Sequence, residues 1–229
     1  MGTIEIKEWT MKDPLNCIGF NAGVCWGAPV DLTEKNIKRA IGCIDDGHGR
    51  VEELPDVYMV LDGWSAKCLR ELYTHIGGAP TRMQASTRYI DYEKGFGAVM
   101  PKSVAKDEKA VKIWTDTLNR IQEGMSGLKE LGIPKEDYTN LLPLAYESNM
   151  IWKVNLRTLV NFFGMRLCTR AYWEIRELSM QLKKELENYS PEWKTLSEML
   201  FVPKCEQVGY CTERQCCGRK PKKSEVITG

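Results

Sequence analysis

Apolar residues recur at helical spacing along much of the chain, and this periodicity constrains the fold more than any other feature of the sequence. Between 146 and 163, the residues Trp152, Leu156, Leu159 and Phe163 follow at steps of four, three and four, which is one face of a helix. Similar spacing predicts helices over 32–44, 65–75, 105–128 and 167–188, and a short one that starts at Ser190. The chain is therefore predicted to be rich in helix.

Strands are predicted to be few. The segment Val57 to Leu61 is short, apolar and β-prone, and Asp62-Gly63 ends it. Gly77-Gly78-Ala79-Pro80 breaks the preceding helix, because glycine costs backbone entropy and proline lacks a donor. A polar loop is expected over 81–92. The fold class predicted for these 229 residues is α/β (α+β), helix-rich with a small central sheet.

Composition changes only after Pro203, where the chain becomes rich in cysteine, glycine and lysine. We therefore expect one folded domain over 1–203 and a tail over 204–229. The whole chain carries 32 Lys and Arg against 31 Asp and Glu, a net charge of +1. Such a balance offers no field for a nucleic-acid backbone or a membrane surface, so an anionic ligand must be bound by local arginines.

No apolar run is long enough to span a membrane, and the N-terminal residues lack the apolar stretch of a signal peptide. A cytoplasmic location is expected. Neither nucleic acid nor a membrane is expected as a partner.

The chain has nine cysteines, which fall into two groups. The scattered ones are predicted to be reduced core residues: Cys17, Cys25, Cys43, Cys68 and Cys168. The clustered ones lie in the tail: Cys205, Cys211, Cys216 and Cys217. Their spacing differs from paired zinc knuckles, so reduced thiols are favoured and no metal site is predicted. A zinc or iron–sulfur site and a redox-sensitive disulfide remain alternatives.

Two histidines, His48 and His75, are the only candidates for imidazole chemistry, and each is predicted at a loop or a helix end. In the loop 84–89, Ser86 and Arg88 would leave the same face of an extended segment and could hold a phosphate. An ordinary solvated loop would show the same residues. Spacing alone does not decide between these readings.

The predicted helices carry further polar candidates. Asn155 is predicted on the apolar face of the 146–163 helix, with Arg157 and Asn161 on another face. Arg166 and Arg170 are predicted one turn apart on the next helix, where their repulsion indicates an anion between them. A capped, water-satisfied helix and a solvated charged face are the alternatives.

Taken together, several motifs resemble those of the flavin-dependent thymidylate synthase family. The first half contributes Gly47-His48-Gly49-Arg50, Gly63-Trp64-Ser65, His75 and Ser86-Thr87-Arg88-Tyr89, after an Ala22-Gly23-Val24-Cys25-Trp26 region. The second half contributes Leu142-Pro143-Leu144, Trp152 to Phe162, Met165-Arg166 and Ala171 to Arg176. The tail motif Gly209-Tyr210-Cys211, with Cys217-Gly218-Arg219, is similar to an extension that some members carry.

The resemblance implies a homotetramer with active sites between subunits, in which no side chain acts as a nucleophile. It implies FAD as cofactor, NADPH as hydride source, methylenetetrahydrofolate as carbon donor, and dUMP or another pyrimidine nucleotide such as UMP as substrate. It assigns the nucleotide to Gln84, Ser86, Arg88 and Arg166, with Ser86 and Arg166 also taking part in catalysis. It assigns the flavin to Ser65, His75, Asn155, Arg157 and Asn161.

The chain departs from the family pattern where arginines are expected. The family's Arg-His-Arg triplet is Thr74-His75-Ile76 here. The acidic residue that the family has before its Ser-x-Arg-Tyr motif is Gln84 here. Each lost guanidinium removes charge-assisted hydrogen bonds worth about 1.5–3 kcal/mol. The contacts could be rebuilt by Arg50, Arg70 or Arg82, or the protein could bind flavin and nucleotide without catalysis.

Overall fold

The computed structural model describes residues 2–75, 81–92 and 95–226. Within them, α-helices occur over α1 Pro14–Cys25, α2 Thr33–Asp45, α3 Ala66–Leu72, α4 Glu108–Glu130, α5 Lys135–Tyr138, α6 Leu156–Arg166, α7 Trp173–Tyr189, α8 Pro191–Leu200, α9 Lys204–Val208 and α10 Lys223–Val226. Short 3-10 turns occupy Val51–Glu53 and Thr139–Leu141. The predicted break at 77–80 lies outside the described residues.

One antiparallel sheet has the strand order β1-β2-β4-β3. Its strands are β1 Thr3–Ile6, β2 Asp56–Ser65, β3 Thr81–Gln84 and β4 Glu147–Asn155. Burial alternates along β2, where Val57, Met59 and Leu61 point inward, because successive side chains of a strand point to opposite faces. The predicted α/β (α+β) class, helix-rich with a small sheet, is confirmed.

The helix predicted over 146–163 is wrong in its first half. Residues Glu147–Asn155 form β4, with Ser148, Met150, Trp152 and Val154 buried in alternation. The helix α6 begins only at Leu156, because Asn155 is its N-cap and its side-chain oxygen accepts a hydrogen bond from the N–H of Thr158 (3.0 Å). Asn155 is therefore a buried capping residue instead of a residue on a helical face.

The prediction that Arg166 and Arg170 face each other one turn apart on a helix is also wrong. Arg166 ends α6, and α7 begins only at Trp173, so Arg170 lies in the connection between them. The backbone N–H of Arg170 donates to Sγ of Cys168 (3.5 Å). Glu174, in the first turn of α7, is buried at 1 % exposure and accepts from the hydroxyl of Tyr172 (3.2 Å).

Contacts along the chain divide the described residues into two compact units. The first comprises 2–3, 61–72, 83–92 and 95–150. Its buried cluster is formed by Ala66, Tyr92, Met125, Tyr138 and Tyr146. The helix α4 contributes Met125 and starts at an N-cap, Asp107, whose carboxylate accepts from the N–H groups of Lys109 and Ala110.

The second unit comprises 4–60, 73–75, 81–82 and 151–226. An aromatic cluster of Trp152, Phe162, Phe163 and Phe201, all fully buried, forms part of its core. The helices α1 and α2 pack closely at Gly19, where a Cβ atom would overlap the backbone of Asn36. The tail residues 204–226 belong to this unit, and the domain boundary expected near 203 stays a prediction.

All nine cysteines are free thiols in the structure. Cys43 and Cys68 are buried as predicted, whereas Cys25 is exposed at the end of α1, and Cys17 and Cys168 are half-buried. The expectation of a core position is therefore wrong for Cys25. Its neighbours Val24 and Trp26 are exposed as well, so the final two residues of α1 do not contribute to the core.

Candidate active site

His75 and Arg166 form a contact in the second unit that the sequence places 91 residues apart. Nε of Arg166 donates to Nε2 of His75 at 3.0 Å, and Nη2 of the same guanidinium donates to the hydroxyl of Thr74 at 3.0 Å. The imidazole lies edge-on to Phe162, with ring centroids 5.0 Å apart. His75 is 4 % exposed, so both side chains are fixed in orientation.

The surroundings of His75 keep its imidazole neutral. Burial, together with the guanidinium groups of Arg166 and Arg82, lowers the pKa of His75 from 6.5 to about 4. Because Nε2 accepts a hydrogen bond, the single proton of the neutral ring is on Nδ1. Nδ1 is buried and has no hydrogen-bond partner among the described residues.

A buried donor without a partner costs about 1–3 kcal/mol. Such a group is satisfied when a ligand supplies an acceptor, and an isoalloxazine or a pyrimidine ring carries carbonyl oxygens and ring nitrogens of that kind. The donor at His75 therefore fits a flavin or a uracil base, which is the class of group that the sequence resemblance implies at this position.

The helix α6 carries three of the sequence candidates. Asn155 is its buried N-cap, while Arg157 and Asn161 are exposed one turn apart. Nη1 of Arg157 is 2.6 Å from Oε1 of Glu53, and the backbone at Gly49 lies beside the same guanidinium. The loop that contains Gly49 and Glu53 is thus held against the start of α6 in the second unit.

The candidates for the nucleotide in the first unit lie at the end of β3 and just after it. Gln84 ends the strand and its Nε2 donates to Oγ of Ser148 (3.3 Å). The loop then turns, since the N–H groups of Tyr89 and Ile90 both donate to the carbonyl oxygen of Ser86. The extended conformation considered for 84–89 is therefore wrong, and the expected polar loop begins with a strand, Thr81–Gln84.

Ser86 and Arg88 are close to each other within that turn. The N–H of Arg88 donates to Oγ of Ser86 at 3.3 Å. Nε of Arg88 is 3.0 Å from Oε2 of Glu136, and the arginine side chain is 66 % exposed. In the same unit, Ser65 is buried at the end of β2, and its Oγ accepts from the N–H of Cys68 (3.0 Å), so its side chain caps α3.

The arginines proposed as replacements for the lost guanidinium groups differ in their surroundings. The guanidinium of Arg82 lies 4.5 Å from the ring centroid of Tyr73 and contributes to the lowered pKa of His75. Arg50 is highly exposed, and its Nη1 is 3.6 Å from Oε2 of Glu53. Arg70 is exposed on α3. Arg82 is thus the one of the three with a shown electrostatic effect on His75.

Two partners in this site were not singled out from the sequence. Thr74 was noted only as a departure from the family pattern, and its role as an acceptor for Arg166 needs the fold. Glu53 follows the Gly47-His48-Gly49-Arg50 motif, and its acidic side chain beside this glycine-rich segment was the available signal for an arginine partner.

Within 2–75, 81–92 and 95–226, no three His, Cys, Asp or Glu side chains are arranged to hold a metal ion. None of the helices in the same ranges combines the length and apolarity that a membrane span requires.

Comparisons with known proteins identify the family. The family model described as thymidylate synthase complementing protein matches residues 8–192. A flavin-dependent thymidylate synthase of Pyrococcus horikoshii is 36 % identical over 175 residues, covering 74 % of this chain and 70 % of the relative. Another from Pyrococcus furiosus is 32 % identical over 208 residues, covering 85 % and 81 %.

A solved structure has the same fold. It is a UMP/dUMP methylase, PolB, from Streptomyces cacaoi bound with 5-Br dUMP, with a TM-score of 0.70 and 16 % identity, covering 88 % of this chain and 94 % of that one. Since the family model matches most of the chain and the identity to curated relatives exceeds 30 %, the chain belongs to the thymidylate synthase complementing protein family.

Proposed function

We propose that this protein methylates C5 of dUMP, using bound FAD, NADPH as the hydride source and methylenetetrahydrofolate as the carbon donor. The proposal includes a cytoplasmic homotetramer whose active sites lie between subunits. It is supported by the family membership and by relatives that are named flavin-dependent thymidylate synthases.

The observation that carries the proposal is the buried donor at Nδ1 of His75. Nε2 of this ring is committed to Arg166, and Nδ1 has no partner among the described residues. A neutral imidazole in this state offers a hydrogen bond without a charge, which suits a carbonyl oxygen or ring nitrogen of isoalloxazine. His75 would thus orient the flavin and would not exchange a proton near neutral pH.

The other flavin contacts are proposed for Ser65, Asn155, Arg157 and Asn161. In Asn155 the side-chain oxygen already accepts from Thr158, so a contact with the flavin would come from the amide nitrogen. Arg157 would contribute positive charge from the exposed side of α6. When bound, the reduced flavin would supply the hydride that converts the transferred methylene to a methyl group.

The nucleotide is proposed to be bound by Gln84, Ser86, Arg88 and Arg166. A phosphate is best held by a planar guanidinium with a hydroxyl beside it, and Ser86 and Arg88 share one turn. The exposure of Arg88 suits a site that another subunit completes. Arg166, already oriented by His75 and Thr74, would hold the base or the phosphate in place, and Ser86 and Arg166 would act during the transfer.

Methylation of UMP is the second candidate. The residues beside His75 are Thr74 and Ile76, where the family resemblance leads us to expect arginines. A site with fewer guanidinium groups offers its ligand fewer charge-assisted hydrogen bonds, so the preferred nucleotide can differ. The neighbour of similar fold is itself a UMP/dUMP methylase. Both nucleotides therefore belong in the same test.

The test is a transfer assay with methylenetetrahydrofolate carrying a labelled methylene carbon. Purified protein is incubated with FAD, NADPH and either dUMP or UMP. The nucleotides are then separated, and their masses are measured by mass spectrometry. We expect label in a methylated dUMP product. Label found only in a methylated UMP product would support the second candidate instead. Bound flavin with no labelled nucleotide from either substrate would instead indicate a binding protein without this activity.

A further inference from the structure

Four cysteines line one cavity of about 80 Å³ in the second unit. Cys168 follows α6, Cys205 lies in α9, and Cys211 and Cys217 lie in the segment after α9. We name this cavity the thiol pocket and define it by these four residues. It brings together one cysteine that the sequence had grouped with the core and three from the tail.

Cys217 has the surroundings of a reactive thiol. Its side chain is exposed, and the backbone N–H of Arg219, the hydroxyl of Thr169 and the charge of the Arg219 guanidinium lower its pKa. Nε of Arg219 is also 3.6 Å from Oε1 of Glu206. Donors and a cation therefore surround the sulfur atom that solvent can reach.

Two other thiols of the pocket, Cys205 and Cys211, have raised pKa values. Burial raises the pKa of the Cys205 thiol, which lies within electrostatic reach of both Cys168 and Cys217. For Cys211, the N–H of Glu213 lowers the pKa, but burial and the neighbouring Cys216 outweigh it and raise the pKa overall. Cys216 donates from Sγ to the carbonyl oxygen of Lys220 (3.2 Å).

These differences in exposure and pKa distinguish an attacking thiol from a resolving thiol. An exposed thiolate attacks a disulfide faster than a buried thiol does. Cys217 meets that requirement, and Cys205 is the thiol of the pocket that interacts with it. Cys211 interacts mainly with Cys216 and less strongly with Cys205.

We propose that the thiol pocket is a site of reversible oxidation by small disulfides, with Cys217 as the attacking thiol and Cys205 as the resolving one. The Cys217 thiolate attacks one sulfur of a disulfide such as oxidised glutathione, so that a mixed disulfide forms and one glutathione leaves as thiolate. Cys205 loses its proton to water and attacks Sγ of Cys217, which releases the second glutathione. The two protein thiols lose two electrons and two protons in total, and one glutathione disulfide becomes two thiols.

The first experiment compares reaction rates. Purified reduced protein is treated briefly with limiting oxidised glutathione at pH 7, and adducts are quantified by peptide mass spectrometry. Each unit by which a thiol pKa falls gives about tenfold more thiolate and costs about threefold in nucleophilicity. Since the pKa of Cys217 is lowered, we expect Cys217 to form the glutathione adduct faster than Cys25, an exposed thiol outside the pocket. Equal rates at the two cysteines would overturn the proposal.

The second experiment identifies the resolving thiol. Trypsin separates Cys205 and Cys217, because Arg214 lies between them. In the wild-type protein we expect the two peptides linked by a disulfide and little glutathione retained. Cys205→Ser should accumulate glutathione on Cys217, Cys217→Ser should abolish both products, and Cys211→Ser, a matched control in the same peptide as Cys205, should still form the link.

Two results would contradict this assignment. Loss of the link in Cys211→Ser with its retention in Cys205→Ser would show that Cys211 resolves the mixed disulfide. The second concerns metal, although the described residues show no arranged metal ligands. One zinc ion per chain in the purified protein, with labelling of Cys217 only after a chelator removes it, would show that the pocket is a metal site.

Discussion

Nε of Arg166 lies 3.0 Å from Nε2 of His75, and this bond decides which imidazole nitrogen carries the proton. With Nε2 as acceptor, the proton is on Nδ1, which is buried and has no partner among the described residues. The pair thus presents one neutral donor and one oriented guanidinium side by side. In the proposed function, the neutral donor contacts the flavin and the guanidinium contacts the nucleotide.

The first prediction concerns pH. The pKa of His75 is lowered from 6.5 to about 4, so between these values the unfolded chain binds a proton that the folded protein does not. Stability contributed by the neutral state is present above pH 6.5 and is lost as pH falls toward 4. The loss amounts to at most about 3 kcal/mol. His75→Asn should remove it, so urea unfolding of the two proteins should diverge in this pH window.

His48→Asn is the matched control, because it removes the other histidine, which is exposed. Its unfolding free energy should follow the wild-type pH dependence. If His75→Asn also follows the wild type between pH 6.5 and 4, the imidazole is not held neutral by the fold.

The second prediction concerns Arg88. Replacement by alanine should weaken nucleotide binding about 10- to 100-fold, since a charge-assisted hydrogen bond is worth about 1.5–3 kcal/mol, and should change flavin binding much less. Calorimetric titration with dUMP, and flavin fluorescence, measure the two affinities. Arg120→Ala, an exposed arginine on α4 of the same unit, is the control. Equal loss of both affinities in Arg88→Ala would show that its role is assigned wrongly.

The third prediction concerns Asn155. Its side-chain oxygen caps α6 by accepting from Thr158 (3.0 Å), and loss of such a cap costs about 0.5–2 kcal/mol. Asn155→Ala should lower the free energy of unfolding by this amount, measured by urea denaturation without flavin. Asn155→Asp keeps an acceptor oxygen at the cap and should lose less. An alanine variant as stable as the aspartate variant would contradict the cap.

Asn155 also shows where the sequence is ambiguous. Helical spacing relates the residues Trp152, Leu156, Leu159 and Phe163. Strand-like alternation relates the buried residues Ser148, Met150, Trp152 and Val154. The two patterns overlap at Trp152, and periodicity alone assigns the whole segment to one element. The asparagine was the signal for the boundary, because it is a preferred N-cap.

The site was harder to predict than the helices. The helix α6 and the loop with Ser86 and Arg88 are local features, and the sequence predicted a helix and a loop there, although with wrong bounds for the helix and a wrong extended conformation for the loop. The contacts of His75 with Arg166 and of Glu53 with Arg157 join residues 91 and 104 positions apart. Local spacing carries no information about such contacts, which arise when the sheet brings distant segments together.

The fourth prediction tests helix packing with two glycines. A Cβ on Gly19 would overlap the backbone of Asn36, whereas a Cβ on Gly42 would meet nothing within 4 Å. Gly19→Ala should therefore destabilise the protein by about 1–3 kcal/mol. Gly42→Ala should stabilise it by about 0.5–1 kcal/mol, because alanine loses less backbone entropy in a helix. Thermal unfolding of both variants measures the difference, and equal melting temperatures would contradict the close approach of α1 and α2.

The most direct test of the account is the absorption spectrum of the purified protein, followed by its NADPH oxidation with and without a uracil nucleotide. We expect a yellow protein with a flavin spectrum, and faster NADPH oxidation when dUMP is added. His75→Asn should retain less flavin than the wild type. A colourless protein that takes up no FAD would contradict the proposal that the His75 and Arg166 pair serves a flavin enzyme.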